Sequence, residues 1–195
     1  MEKILITGTG RCGTTFLVKL FSFLGYDTGF NEHNYHEFIQ KNCNAGMEKD
    51  ITSTNYIIKN PGFLKHIEKI IIEKEIIVKT VIIPIRKYKA SAESRAAESR
   101  LFNQNTCIPG GLWDATNLEE QLLFYHQIMS NYLYIMTKHD INTIFIDFDR
   151  MILDKSYLFE TLKPILDEKN ITIEFFSEKY DKATSSSKPH PRPQP

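Results

Sequence analysis

The chain has 195 residues, enough for one domain with a sizeable core, and its acidic and basic side chains balance at 24 each. A neutral total gives no bulk electrostatic attraction to nucleic acid or to a membrane surface, so neither is expected as a partner. Cys12, Cys43 and Cys107 are widely spaced and suit neither a disulfide framework nor a zinc site, and no metal is expected.

The apolar run after Met1 is only a few residues long and ends in glycines, so no secretory leader is expected. No segment has the length to span a bilayer. A cytoplasmic protein in a reducing compartment is the expectation, and the abundance of Ile, Lys and Asn points to an AT-rich, microbial coding sequence.

Residues 3–20 read KILITGTGRCGTTFLVKL. Ile4, Leu5 and Ile6 form a buried strand, Gly8, Gly10 and Gly13 interrupt it, and Phe16, Leu17 and Leu20 recur at helical spacing. Such a strand–loop–helix turns several backbone N–H groups and a helix N-terminus toward one spot, which suits an anion such as phosphate. The spacing approaches the nucleoside-triphosphate loop G-x-x-x-x-G-K-[ST]. Gly8, Gly13 and Thr15 fit it, whereas Thr14 holds the lysine position and the nearest basic group is Arg11. The loop can therefore hold an anion, with its charge supplied from a different place.

After the first helix, residues 25–46 are polar and aromatic and read as a solvated loop leading into a short helix near 35–41. Glu32, His33, His36 and Glu37 lie close together there without a convincing fourth metal ligand. Residues 55–59, NYIIK, form a short strand that ends in Lys59, and Pro61 precedes a helix from Phe63. Residues 81–85 are a central buried strand, followed at once by Arg86 and by a helix rich in Ala, Glu and Arg. This is a second strand–loop–helix unit with a basic residue at its turn, and ligands of parallel sheets bind at such carboxyl edges.

Residues 103–113 form a breaker-rich loop, with Trp113 either an acceptor-facing lid or a core residue. Residues 117–138 are a long helix with Leu118, Leu122, Tyr125, Met129 and Leu133 on one face. A further strand, 142–147, ends on Asp147 and leads to a helix at 157–166. From Ser185 the sequence SSSKPHPRPQP precludes a regular helix and reads as a flexible tail to a single domain of residues 1–184. Strands alternating with helices predict an α/β fold, three layers with a central, mainly parallel sheet of four to five strands and the glycine loop at its N-terminus.

The segment GTGRCGTTFL resembles the 5′-phosphosulfate loop of the sulfotransferases that use 3′-phosphoadenosine 5′-phosphosulfate (PAPS). Two later segments share the resemblance: Lys59-Asn60-Pro61 matches a Lys-x-Pro element, and Arg86 with Ser94 matches the strand arginine and helix serine of the 3′-phosphate site. The resemblance implies transfer of a sulfuryl group from PAPS to a hydroxyl or amine of a carbohydrate or small-molecule acceptor, releasing 3′-phosphoadenosine 5′-phosphate (PAP). It implies that Gly10, Arg11, Cys12, Gly13, Thr14 and Thr15 hold the phosphosulfate, and that Arg86 and Ser94 hold the 3′-phosphate. Arg11 would face the bridging oxygen, with Lys59 assisting from the other side. The general base falls to Glu32 first and His33 second, at the distance past the loop where some branches of the family carry a catalytic glutamate.

The alternative is a P-loop kinase or nucleotide hydrolase using Mg-ATP, with Asp147 holding the metal. Thr14 in the lysine position counts against it. A cysteine phosphatase built on Cys12 is dismissed, because such enzymes need arginine six residues on, where this chain has Val18.

Overall fold

The computed structural model describes residues 1–40, 43–74, 76–101 and 110–185. In chain order these hold β1 (Glu2–Ile6), α1 (Thr14–Phe23), a 3-10 turn (Tyr35–Phe38), β2 (Ile39–Gln40), β3 (Ala45–Gly46), β4 (Ile57–Lys59) and α2 (Phe63–Glu73). Then come β5 (Ile77–Ile85), α3 (Tyr88–Leu101), α4 (Leu118–Lys138), β6 (Thr143–Asp147), α5 (Phe148–Leu153), α6 (Lys155–Leu166), a second 3-10 turn (Asp167–Lys169) and α7 (Ile173–Ser185). Four strands form one parallel sheet in the order β4-β1-β5-β6. The expected α/β class with a parallel central sheet is what the chain adopts.

The continuous apolar runs of β1 and β5 follow from burial on both faces. Side chains alternate across a strand, so Ile4 and Ile6 of β1 face one way with Ile57, Ile82 and Ile146. They meet Leu17, Val18 and Phe21 of α1, Leu158 and Leu162 of α6 and Phe176 of α7. Leu5, Ile58, Val81 and Ile83 face the other way, against Leu64 and Ile67 of α2 and Ile128, Met129, Tyr132 and Ile135 of α4.

Helix α3 differs from the others. Its buried residues are Ser91, Ala92, Arg95, Ala96 and Glu98, so the face it turns inward carries small and charged side chains. A helix with that face has to meet polar surroundings or compensating charge.

Of the segment expected as a short helix near 35–41, the described residues 35–40 form a 3-10 turn that passes into β2, which pairs antiparallel with β3. Asn44, just before β3, adopts the left-handed conformation (φ +49°), and Met47 N–H donates to Phe38 O at 3.0 Å to close the pair. Helix α7 extends the fold past the last expected helix, with Phe176, Tyr180 and Ala183 buried at helical spacing. Cys107 and, past Ser185, the expected tail lie outside the described residues.

Candidate functional site

Strand β1 delivers the chain to Thr7, whose hydroxyl accepts from Leu64 N–H and donates to Pro61 O, both at 3.2 Å. That side chain ties the start of α2 to the start of the glycine loop. The loop then makes its turns at positive φ, with Gly10 at +74°, Arg11 at +57° and Gly13 at +92°. A Cβ on Gly10 would occupy the space of the Arg95 guanidinium, and one on Gly13 would meet the Met151 methyl and the Phe148 ring. Both positions therefore need glycine for conformation and for space.

Helix α1 begins after Gly13 with no side-chain cap and no acidic residue in its first turn. By contrast, Asn117, Asp147 and Asp154 cap α4, α5 and α6. The first amides of α1 and the positive end of its dipole thus face the loop uncompensated by a side chain, an arrangement that favours an anion.

Three guanidinium groups surround this loop. Arg11 donates from Nε to Ser94 Oγ at 3.0 Å, from Nη1 to Cys43 O, and from Nη2 lies 3.7 Å from Glu98 Oε1. Burial pulls the Arg11 pKa down, and the Glu98 carboxylate pulls it back up. Arg86, at the end of β5, donates to Arg11 O at 3.0 Å and lies over the Phe148 ring at 4.8 Å. Arg95 donates to Thr9 O at 3.2 Å and to Gly111 O, and stacks on Trp113 at 5.4 Å. Among the described residues the one carboxylate ion-paired with these three is Glu98, through Arg11.

On the other side of the loop, Lys59 ends β4 with 1 % of its surface exposed. Its ammonium donates to Thr15 Oγ1 at 3.3 Å, to Gly46 O at 3.0 Å and to Glu48. Burial lowers the Lys59 pKa, and Glu48 opposes that shift. The β2–β3 hairpin therefore reaches the loop at two points: Cys43 O meets Arg11, and Gly46 with Glu48 meets Lys59.

The expected site residues are thus brought together in part. Arg11, Ser94 and Arg86 form one hydrogen-bonded chain beside the loop, and Lys59 joins Thr15. Ser94 also pairs directly with Arg11, a bond that the expected sharing of a 3′-phosphate with Arg86 did not include. Cys12 is fully buried under Gly8, and burial raises its pKa, so its side chain is packing and its backbone alone belongs to the loop.

Glu32 and His33 are the correction. Glu32 is ion-paired with Lys179, at 2.9 Å, and with Lys182, both on α7, and the Lys182 bond holds its carboxyl below the usual range. Lys182 lies over Phe23, at the end of α1 away from the loop, and a ten-residue helix is about 15 Å long. His33 is exposed in the same turn, where its N–H donates to Asn31. Spacing along the chain placed a carboxylate near the loop, but the hairpin's Glu48 is the one that arrives.

Trp113 is half-buried against Phe124, and Gln121 brackets its backbone with bonds of 2.7 and 3.2 Å. It is fastened to the core on the α4 side. Asp147, the expected metal ligand of the alternative reading, uses its carboxylate to cap α5 through Arg150 N–H at 2.8 Å. Among the described residues no group of three His, Cys, Asp or Glu side chains is placed to hold a metal ion, and no helix is long and apolar enough to cross a membrane.

Sequence reasoning missed Arg95, Glu98 and Glu48. The first two carry a readable signal, since Ser91, Arg95 and Glu98 recur at i, i+4 and i+7 where an ordinary helix places its apolar stripe. Glu48 carries none, because its position depends on the hairpin. No protein-family model matches the chain, and searches of curated proteins and of solved structures find no match.

Proposed function

We propose that the chain is a PAPS-dependent sulfotransferase, moving a sulfuryl group to the hydroxyl or amine of a carbohydrate or small-molecule acceptor and releasing PAP. The observation that carries this reading is the convergence of Arg11, Arg86 and Ser94 on the uncapped N-terminus of α1. The residues fit such a ligand: three guanidinium groups against one carboxylate, the open helix end, and Thr14 and Thr15 in the first turn. PAPS, when bound, supplies the activated sulfuryl group and a nucleotide leaving group.

The chain's own residues do the rest. The amides of residues 10–15 hold the 5′ end, and Arg86 and Ser94 hold the 3′-phosphate. Arg11 offsets the negative charge that grows on the bridging oxygen as its bond to sulfur breaks and sulfur bonds to the acceptor. Lys59 fixes Thr15 from the opposite side. The acceptor's proton goes to a carboxylate, and the one beside Lys59 is Glu48, so we assign the base to Glu48 rather than to Glu32.

Calorimetric titration with PAP and with Mg-ATP tests the reading. PAP binds without metal, more tightly than Mg-ATP, and Arg86→Ala weakens it by roughly 100-fold, the loss expected of a charged hydrogen-bonded partner. Preference for Mg-ATP, or an unchanged Arg86→Ala, defeats the proposal. The base assignment is read separately, from slow sulfate release when PAPS is incubated without an acceptor. Glu48→Gln binds PAP as wild type does and releases sulfate at least about tenfold more slowly. If Glu48→Gln keeps the wild-type rate, the base lies elsewhere.

A further inference from the structure

Four buried side-chain atoms among the described residues meet no hydrogen-bond partner: Ser91 Oγ, Arg95 Nε, Glu98 Oε2 and Tyr125 Oη. Three lie on successive turns of α3, and Tyr125 lies against the Arg95 charge. Glu98 differs from the other three in kind. Arg95 Nε can only donate and the Ser91 and Tyr125 hydroxyls can both donate and accept, whereas Glu98 Oε2 is a carboxylate oxygen that can only accept, on a residue 8 % exposed. A carboxylate oxygen buried without a donor is costly, and a ligand that brings a donor relieves that cost.

The position of Glu98 says which donor. One edge of the Arg11 guanidinium meets both Ser94 Oγ, at Nε, and Glu98 Oε1, at Nη2. Groups docked on Ser94 and on Glu98 therefore occupy neighbouring places. This step rests on the reading above, in which Ser94 receives a nucleotide 3′-phosphate. On a nucleoside 3′-phosphate, the donor on the carbon next to the phosphate is the ribose 2′-hydroxyl. A phosphate in that place would instead set negative charge directly against the carboxylate, a repulsion that is strong at a desolvated contact. Acidic side chains select free ribose hydroxyls over phosphorylated ones in the same way in dinucleotide sites.

We infer that Glu98 is a specificity-determining residue of the nucleotide site: its Oε2 accepts from the 2′-hydroxyl and excludes nucleotides phosphorylated at that position. Arg11, 3.7 Å from the other carboxylate oxygen, keeps Glu98 compatible with an anionic ligand, and Ser94 stands one helical turn before it.

The test is calorimetric binding of three probes to wild type, Glu98→Gln and Glu98→Ala: adenosine 3′,5′-bisphosphate, adenosine 2′,5′-bisphosphate and 2′-deoxyadenosine 3′,5′-bisphosphate. Wild type prefers the 3′,5′ compound over its 2′,5′ isomer by about 100-fold and over the deoxy compound by about tenfold. Glu98→Gln keeps the fold, confirmed by thermal unfolding, and narrows the preference over the 2′,5′ isomer at least tenfold. Glu98→Ala does the same and serves if the glutamine variant does not fold. Equal wild-type affinity for the ribo and deoxy compounds overturns the inference without any variant. So does a variant that binds the 3′,5′ compound and discriminates as wild type does. Wild type binding none of the three defeats the sulfotransferase reading itself, a result distinct from either of these.

Discussion

Arg11→Ala is expected to lose both turnover and stability, and the two losses separate in a second variant. Sulfate release from PAPS should fall by about a thousandfold, because Arg11 is the group set against the charge that develops on the bridging oxygen. Stability should fall by about 3 kcal/mol, because Glu98 stays buried with its charge partner gone and Ser94 and Cys43 O lose a donor. The combination Arg11→Ala with Glu98→Gln removes the stranded charge. It should recover most of the unfolding free energy and none of the turnover. Arg11→Lys keeps the charge but cannot span Ser94, Cys43 O and Glu98 at once, so it should stay well below wild type. Denaturant unfolding and sulfate release on the four proteins settle the matter. Turnover returning in the double variant would show that Arg11 only holds the loop together. Turnover unchanged in Arg11→Ala would remove it from the reaction.

The interdependence of Arg11 and Glu98 also marks where sequence reasoning stops. The sheet was legible because β1 and β5 are buried on both faces and so carry unbroken apolar runs, and because β1, β4 and β5 are each followed by a glycine or basic turn and then a helix. The loop from Gly10 to Thr15 and the basic residue after β5 were legible for the same local reason. Ser94 was reached through resemblance, and its bond to Arg11 was not, because an arginine side chain is long enough to cross from the loop to α3. Arg95 and Glu98 were hidden by composition. Alanine, glutamate and arginine are good helix formers anywhere, and only the position of α3 against the loop makes that face an interior one. The spacing of Ser91, Arg95 and Glu98 was the usable clue, since a helix lacking an apolar stripe must bury polar groups if it packs at all.

The base is a harder case. Glu32 and Glu48 lie on the same connection, and distance along the chain favours the first. The left-handed Asn44 and the close passage of Gly46 beside Phe38 fold the hairpin back so that the second one reaches Lys59. Nothing local to Glu48 encodes that. Asp147 shows the converse: a strand ending in aspartate invites a metal, but the same carboxylate is the N-cap that α5 requires, and Arg150 N–H takes it.

Two glycines at opposite ends of α1 give the second large effect and its internal control. Gly25 ends the helix at φ +80°, with Tyr26 N–H donating to Phe21 O at 3.0 Å, and a Cβ there meets nothing within 4 Å. Gly25→Ala therefore carries only the left-handed backbone penalty, about 1 kcal/mol. Gly13, at φ +92°, begins the same helix and carries that penalty too. Its Cβ must also displace the fully buried Met151 and the Phe148 ring, 3.2 Å away, so Gly13→Ala should cost about 4 kcal/mol in all. The Phe148 ring supports Arg86, so moving it also moves the arginine assigned to the 3′-phosphate. Gly13→Ala should accordingly weaken PAP binding at least about tenfold, while Gly25→Ala leaves it unchanged. Trimming Met151 to alanine should cost less in the Gly13→Ala background than in wild type, because part of what it removes is the clash. A Gly13→Ala protein as stable as Gly25→Ala would mean that Met151 and Phe148 do not press on the loop, and the mechanical link from that contact to Arg86 would fall with it.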